Sequence, residues 1–129
     1  LFGTALTDES MSANFADPER LPAWLALGRE VMATAQARGA TPRGFGEFRP
    51  EAFLPGAPES EARAVIAWLA DYTSKTAKTH SGIWRDLAVR KRKTEVDPQI
   101  GIIGELAREH GIATPALDRL VTLIHDIEE

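Results

Sequence analysis

The segment from Thr79 to Asp97 holds most of the side chains that could do chemistry in this sequence. It contains a run of four cations, Arg90-Lys91-Arg92-Lys93, in a chain whose formal net charge is −4. Such a run is most often a solvated face, and the functional alternative is attraction of an anionic ligand such as a phosphate group. Glu95 follows the run directly. It could form a structural ion pair with these cations, or its carboxylate could accept hydrogen bonds from a hydroxyl-rich ligand.

Several other kinds of site lack the residues that they need. The chain has no cysteine, which excludes disulfides, thiolate-bound metals and a cysteine nucleophile. His80, His110 and His125 are far apart and lack the spacing of helical metal ligands, so we expect no metal site. Gly44-Phe45-Gly46 is not a dinucleotide-binding loop, because no third glycine follows at the required spacing.

Composition and charge limit the class of protein. The 129 residues suffice for one domain, and 43% hydrophobic with 26% charged residues is typical of a soluble globular protein. The acidic balance argues against nucleic acid or an anionic membrane as partner. No apolar run approaches the roughly 20 residues of a membrane span. Asp8 and Glu9 interrupt the N-terminal apolar stretch that a signal peptide would need. We therefore expect a cytoplasmic protein.

Residue types that typically start and end helices recur along the chain. Cap-plus-proline pairs predict helix starts at Asp17-Pro18, Asp97-Pro98 and Thr114-Pro115, and Gly39 and Gly111 predict helix ends. The expected buried positions are Leu21, Trp24, Leu25, Val31, Met32 and Ala35 in the first helix, Ala62, Val65, Ile66, Leu69 and Tyr72 in the second, Ile100, Ile103, Leu106 and Ala107 in the third, and Leu117, Leu120, Val121, Ile124 and Ile127 in the last.

The intervening stretches complete an all-α prediction. Residues Ala40 to Ala57 are rich in proline and glycine and should form a loop with one helical turn around Glu51 to Leu54. A helix should start near Pro58 and a shorter one after Gly82. No alternating strand of convincing length occurs. The apolar start, Leu1 to Leu6, suggests the tail of an element that begins upstream; the alternative is a processed terminus packed on the core.

The order of several short motifs is similar to that of a known family. Ser81 and Asp86-Leu87 are followed by Lys93-Thr94-Glu95-Val96-Asp97 and then by Gly111-Ile112-Ala113-Thr114-Pro115. This order resembles the C-terminal domain of ketopantoate reductases (2-dehydropantoate 2-reductases), which carry Ser-Met-x-x-Asp, Thr-Glu-Ile-Asp and Gly-Ile-x-x-Pro. Thr4-Ala5-Leu6 also resembles a Pro-Leu-Thr-Ala-Leu stretch of the family. The resemblance is strong over residues 81–129 and weaker over residues 1–78.

The resemblance implies a fold, an activity and partners. Residues 1–129 would form a helical domain similar to the C-terminal domain of 6-phosphogluconate dehydrogenase. An N-terminal Rossmann domain of the same parent protein would bind NADPH. The complete enzyme would be an oxidoreductase acting on a small 2-oxo acid, either ketopantoate in pantothenate biosynthesis or a related carbonyl, and would form a homodimer. The alternative from another class is a freestanding helical interaction or dimerisation module.

The resemblance also implies roles for three residues. Ser81 matches the serine that hydrogen-bonds the substrate carboxylate, and Glu95 matches the glutamate that reaches the nicotinamide ribose. Asn14 is the residue available to match a substrate-binding asparagine. The family's general-acid lysine precedes the stretch matched by Leu1 to Leu6, so we expect no catalytic residue in this chain and no activity from it alone. Bulky Trp84 departs from the family pattern and leaves the identity of the 2-oxo acid open.

Overall fold

The computed structural model describes all 129 residues, and their secondary structure is helical. The six α-helices are α1 (Met11–Ala16), α2 (Leu21–Ala37), α3 (Glu59–Ser74), α4 (Gly82–Trp84), α5 (Ile102–Glu109) and α6 (Pro115–Glu128). Short 3₁₀ turns form at Gly3–Leu6 and Pro50–Phe53, and π-helical turns at Arg85–Val89 and Asp97–Gly101 adjoin α4 and α5. The sole β feature is an isolated bridge between Phe45 and Phe48. The all-α prediction is therefore confirmed. None of the helices combines the length and apolarity that crossing a bilayer requires.

The predicted helix ends are confirmed, as are most of the predicted starts. Gly39 and Gly111 adopt left-handed φ values of 71° and 68° directly after α2 and α5, a conformation that glycine adopts without strain. Pro58 precedes α3, and Thr114 is the residue before α6. The helical turn expected inside the long loop is the 3₁₀ turn at Pro50–Phe53.

The predicted start of α2 at Asp17-Pro18 is wrong. The Asp17 carbonyl accepts a bond from Arg20 N–H at 3.1 Å, and its carboxylate accepts one from Glu19 N–H at 2.9 Å. These two bonds close a turn, and α2 begins only at Leu21. The pair was misassigned because an aspartate before a proline is as well suited to a turn as to a helix cap.

The start at Asp97-Pro98 is shifted by one residue. Val96 holds the cap position, and Asp97 lies inside the first helical turn, where its carboxylate bonds to His125 Nε2 at 2.9 Å. The sequence reading also missed α1. Ser10 caps that helix, and its Oγ accepts a bond from Ala13 N–H at 3.1 Å.

Two hydrophobic clusters form the core. The first cluster joins α2, the 3₁₀ turn and α3 through Leu25, Met32, Ala52, Phe53, Ala62, Val65 and Ile66. The second cluster joins the N-terminal turn, the π-helical turn after α4 and α6 through Phe2, Ala5, Leu87, Val96, Leu120 and Ile124. Tyr72 and Ile127, which were expected to be buried, are each 44% exposed. Both lie in the last turns of their helices, and Tyr72 instead stacks on Trp68 with ring centroids 4.9 Å apart.

Glu30 ties the middle of α2 to the start of α6. Its two carboxylate oxygens accept bonds from Ala116 N–H at 2.9 Å and Leu117 N–H at 2.8 Å. Thr114 holds the cap position, but its side chain accepts no bond from the first amides of α6, and its hydroxyl donates to the Asp118 carboxylate at 3.1 Å. A carboxylate at the positive end of the helix dipole satisfies amides that otherwise lack partners. Glu30 therefore performs the capping role that the sequence suggested for Thr114.

Replacing Glu30 by alanine should lower the free energy of unfolding by about 2 kcal/mol, because two charge-assisted bonds to the start of α6 are lost. Chemical denaturation monitored by circular dichroism would measure the loss. Glu105→Ala is the matched control, since Glu105 is exposed and forms no hydrogen bond or ion pair to another side chain. Equal losses in the two variants would contradict the capping role.

Candidate functional site

Ser81 lies where a loop running beside the N-terminal segment turns into α4. Met11 N–H donates to the Thr79 carbonyl at 2.9 Å, and His80 Nε2 bonds to the Asp8 carbonyl at 2.7 Å. Ser81 then caps α4, with its Oγ accepting from Trp84 N–H at 3.1 Å. The residue is 1% exposed, and its hydroxyl donates no hydrogen bond in the structure. Ser81 is therefore a buried helix cap that retains a donor.

His80 and Trp84 enclose this turn from the side of the N-terminal segment. The Trp84 indole N–H donates to the Asp8 carboxylate at 3.1 Å, and the rings of His80 and Trp84 lie 4.3 Å apart at their centroids. A groove of about 300 Å³ opens next to them, with Asp8, Trp84 and Lys91 among its lining residues. Sequence reasoning missed this cluster, because its partners are more than 70 residues apart and no local signal marks them.

Asn14 is buried in α1 and its amide is fully used within the chain. Its Nδ2 lies 3.0 Å from the Thr7 hydroxyl oxygen and 3.2 and 2.9 Å from the carbonyl oxygens of Glu9 and Ser10, so these three acceptors share its two hydrogens. Its Oδ1 accepts from the Arg20 guanidinium at 3.3 Å. With 1% of its surface exposed, Asn14 fastens the residues before α1 to that helix.

Glu95 is exposed and lies just before the turn at Asp97–Gly101. Its carboxylate accepts a bond from Gln99 Nε2 at 2.9 Å and pairs with none of the preceding cations. The alternative in which Glu95 is the ion-pair partner of the cation run is therefore wrong for this structure. Glu95 retains lone pairs that face solvent and can accept further hydrogen bonds.

Asp86 is the acid that the cation run pairs with. Arg90 and Arg92 both donate to its Oδ1, at 3.1 and 2.8 Å. Lys91 adopts a left-handed φ of 53°, and this reversal lets the arginines on either side reach one carboxylate. Burial acts to raise the pKa of Asp86, but the bonds and charges of the two arginines outweigh it and hold the pKa below its usual value.

The stability of the chain should depend on the ionisation of Asp86. Its pKa is lower in the folded than in the unfolded chain, so its contribution is present at neutral pH and is lost as pH falls below about 4. Asp86→Asn should therefore be less stable than the wild type at pH 7 and equal to it in strong acid. Denaturation at a series of pH values would test this, with exposed Asp126→Asn as control. A stability difference that does not change with pH would contradict it.

The structure brings two of the three predicted site residues into adjoining segments. The chain before and through α1, which holds Asn14, is bonded directly to residues 79 and 80, which precede Ser81. Glu95 lies on the exposed surface, and no hydrogen bond connects it to Ser81 or Asn14. No group of three or more His, Asp or Glu side chains is arranged to hold a metal ion.

A family model described as ketopantoate reductase PanE/ApbA C terminal matches residues 3–128. The chain belongs to this family. No curated protein and no solved structure matches the chain. The match covers every residue of the two core clusters except Phe2, and it confirms the family that the Ser81, Thr94-Glu95 and Gly111-Ile112 motifs indicated. A ketopantoate reductase C-terminal domain implies an N-terminal domain in its parent protein.

Proposed function

We propose that this chain is the substrate-binding and dimerisation domain of an NADPH-dependent reductase of small 2-oxo acids. The observation that carries the proposal is the family match over nearly the whole chain. The substrate would be ketopantoate, reduced to pantoate for pantothenate biosynthesis, or a related carbonyl compound. The cytoplasm is the compartment that we propose, and a chain without cysteine is compatible with its reducing conditions.

Ser81 is proposed to bind the substrate carboxylate. Its hydroxyl proton has no acceptor in the structure, so it can donate to an anion while Oγ still caps α4. Solvent reaches only 1% of the residue, so the side chains around it must move before a ligand can make this contact. His80 and Trp84 are the neighbours whose hydrogen bonds to Asp8 would open.

Asn14 is proposed as a second substrate-binding residue. All of its polar atoms already have partners, so it would have to exchange one bond, such as the 3.3 Å bond from Arg20, for a bond to substrate. This longest bond of the set is the one that a ligand would replace at least cost. Asn14 thus has a structural role in the free chain and a binding role only in a rearranged complex.

Glu95 is proposed to bind the cofactor. An exposed carboxylate with free lone pairs fits the two hydroxyls of a nicotinamide ribose, which are hydrogen-bond donors. Bound NADPH would supply the hydride for reduction of the substrate carbonyl. Glu95 would fix the ribose and so orient the nicotinamide ring, and Ser81 would orient the substrate toward it. A lysine of the parent protein outside residues 1–129 would protonate the carbonyl oxygen.

The competing function is a freestanding helical interaction or dimerisation module. The parent gene separates the two hypotheses. A Gly-x-Gly-x-x-Gly sequence between a strand and a helix, about 170 residues upstream of Leu1, would support the reductase. A start codon at or just before Leu1 would support the module.

The chain is expected to associate with itself in solution. Phe45 is 53% exposed and forms an aromatic surface with Trp68 and Tyr72, with ring centroids 5.7 and 5.8 Å from its own. Apolar surface of this kind favours contact with a second copy. Sedimentation of the chain from low to high micromolar concentration should show a rising mean mass. Phe45→Ser should weaken this association, and Val89→Ser, which removes a still more exposed apolar side chain outside the aromatic surface, should not. A monomer at every concentration would contradict the homodimer.

A further inference from the structure

Helix α6 holds the chain on both sides of Glu95. Before it, Glu128 Oε2 accepts a bond from Thr94 N–H at 2.5 Å and one from the Thr94 hydroxyl at 2.9 Å. After it, the Asp97 carboxylate bonds to His125 Nε2 at 2.9 Å. His125 and Glu128 are three positions apart in α6, so their side chains lie on one face of the helix. Glu95 therefore lies between two contacts with the same helix face.

Val96 holds the same segment to the core. It is 1% exposed and belongs to the second core cluster together with Ile124 of α6. Its N–H donates to the Thr94 hydroxyl at 3.3 Å, and that hydroxyl in turn donates to Glu128. These contacts fix the backbone on either side of Glu95, whose side chain remains exposed.

The Glu128 carboxylate bonds to this segment and not to the neighbouring cations. The two arginines of the cation run pair with Asp86, and no cation of the chain lies within ion-pair distance of Glu128. Thr94 N–H has no carbonyl partner, so Glu128 is its acceptor. Bonds from an amide and a hydroxyl to a carboxylate are stronger than bonds between neutral groups. Glu128 thus fixes the residue directly before Glu95.

We propose, on the basis of the proposed role of Glu95 in binding NADPH, that Glu128 is a positioning residue for the Glu95 carboxylate. By binding the amide and the hydroxyl of Thr94, Glu128 fixes the backbone from which Glu95 reaches the ribose. A group that is already held in its bound geometry loses less conformational freedom when its ligand arrives, and binding is stronger for that reason. Glu128 acts through Glu95 and touches neither cofactor nor substrate.

The mobility of backbone amides in residues 1–129 tests this role without any cofactor. In Glu128→Ala, nuclear magnetic resonance order parameters at Thr94 and Glu95 should fall from about 0.85, typical of rigid backbone, toward about 0.6. Glu128→Gln keeps an oxygen that can accept both bonds and should retain the order. Asp126→Ala removes an exposed acid of α6 that forms no hydrogen bond or ion pair, and should change neither amide. Unchanged order parameters in Glu128→Ala would overturn the proposal.

Steady-state kinetics of the complete reductase test whether this order strengthens cofactor binding. Glu128→Ala should raise the Michaelis constant for NADPH about two- to tenfold, the cost of ordering one side chain on binding, and should not change the constant for the 2-oxo acid. Glu128→Gln should restore the wild-type constant. In a Glu95→Ala background, Glu128→Ala should have no further effect on the constant for NADPH, because the two residues act as one unit.

The same variants separate this role from the proposed function. A raised constant for NADPH in Glu95→Ala but not in Glu128→Ala would overturn the positioning role alone. An unchanged constant in Glu95→Ala would contradict the cofactor role of Glu95 and the positioning role with it. Equal effects of Glu128→Ala with and without the Glu95 carboxylate, or a loss of stability with both constants unchanged, would show a purely structural contact and would also overturn the proposal.

Discussion

Glu95→Ala in the complete reductase is expected to raise the Michaelis constant for NADPH about ten- to a hundred-fold. The substitution removes an exposed carboxylate that would accept hydrogen bonds from ribose hydroxyls, and a bond to a charged group contributes about 1.5–3 kcal/mol. The Michaelis constant for the 2-oxo acid should stay near its original value. Steady-state kinetics with each substrate varied in turn would measure both constants.

Gln99→Ala is the matched control for this variant. It removes the 2.9 Å bond that Gln99 Nε2 donates to Glu95 but leaves the carboxylate in place. Its Michaelis constant for NADPH should therefore remain close to that of the wild type. If Glu95→Ala instead lowers only the melting temperature, or if both variants change the constant equally, the carboxylate has a structural role and the cofactor assignment is wrong.

Ser81→Ala should affect the Michaelis constant of the other substrate, the 2-oxo acid. It removes the donor proposed for the substrate carboxylate, so the Michaelis constant for the 2-oxo acid should rise by a similar factor while that for NADPH does not. It also removes the bond to Trp84 N–H, and this lost cap should cost about 1 kcal/mol of stability. Ser10→Ala removes the corresponding cap of α1 and serves as the control for that loss. Equal kinetic effects of the two serine variants would contradict a binding role for Ser81.

Residues 1–129 assayed alone should show no turnover. The proposed mechanism requires a cofactor-binding domain and a general-acid lysine, and both are assigned to the rest of the parent protein. Purified chain mixed with NADPH and ketopantoate should show no oxidation of NADPH above the rate without protein. Measurable turnover would contradict the assignment of cofactor binding and the general acid to the rest of the parent protein. It would require a general acid within this chain.

The helices could be predicted from local residues wherever one residue type decides the backbone. Gly39 and Gly111 mark the ends of α2 and α5, because each adopts a left-handed conformation that disfavours other residues. Asp17-Pro18 was ambiguous, since the same pair can close a turn or cap a helix. The true cap of α6 could not be predicted at all, because Glu30 lies 86 residues before the amide that it binds.

The candidate site also has features that local sequence predicts and features that depend on distant contacts. The family could be identified from motif order, because Ser81, Glu95 and Gly111 keep recognisable neighbours along the chain. The burial of Ser81 and the saturation of Asn14 depend on contacts between distant segments, and no local pattern indicates them. Arg90 and Arg92 pair with Asp86 and not with Glu95, and this choice likewise depends on the left-handed turn at Lys91.

We propose that this chain completes a reductase of 2-oxo acids. The most direct test is the rate of NADPH oxidation by the purified parent protein, assayed with ketopantoate and with related 2-oxo acids. We expect turnover that requires both NADPH and a 2-oxo acid, yields the corresponding 2-hydroxy acid, and disappears when residues 1–129 are deleted. A folded parent protein that oxidises no NADPH with any 2-oxo acid, or one that keeps its full rate without residues 1–129, would contradict the account.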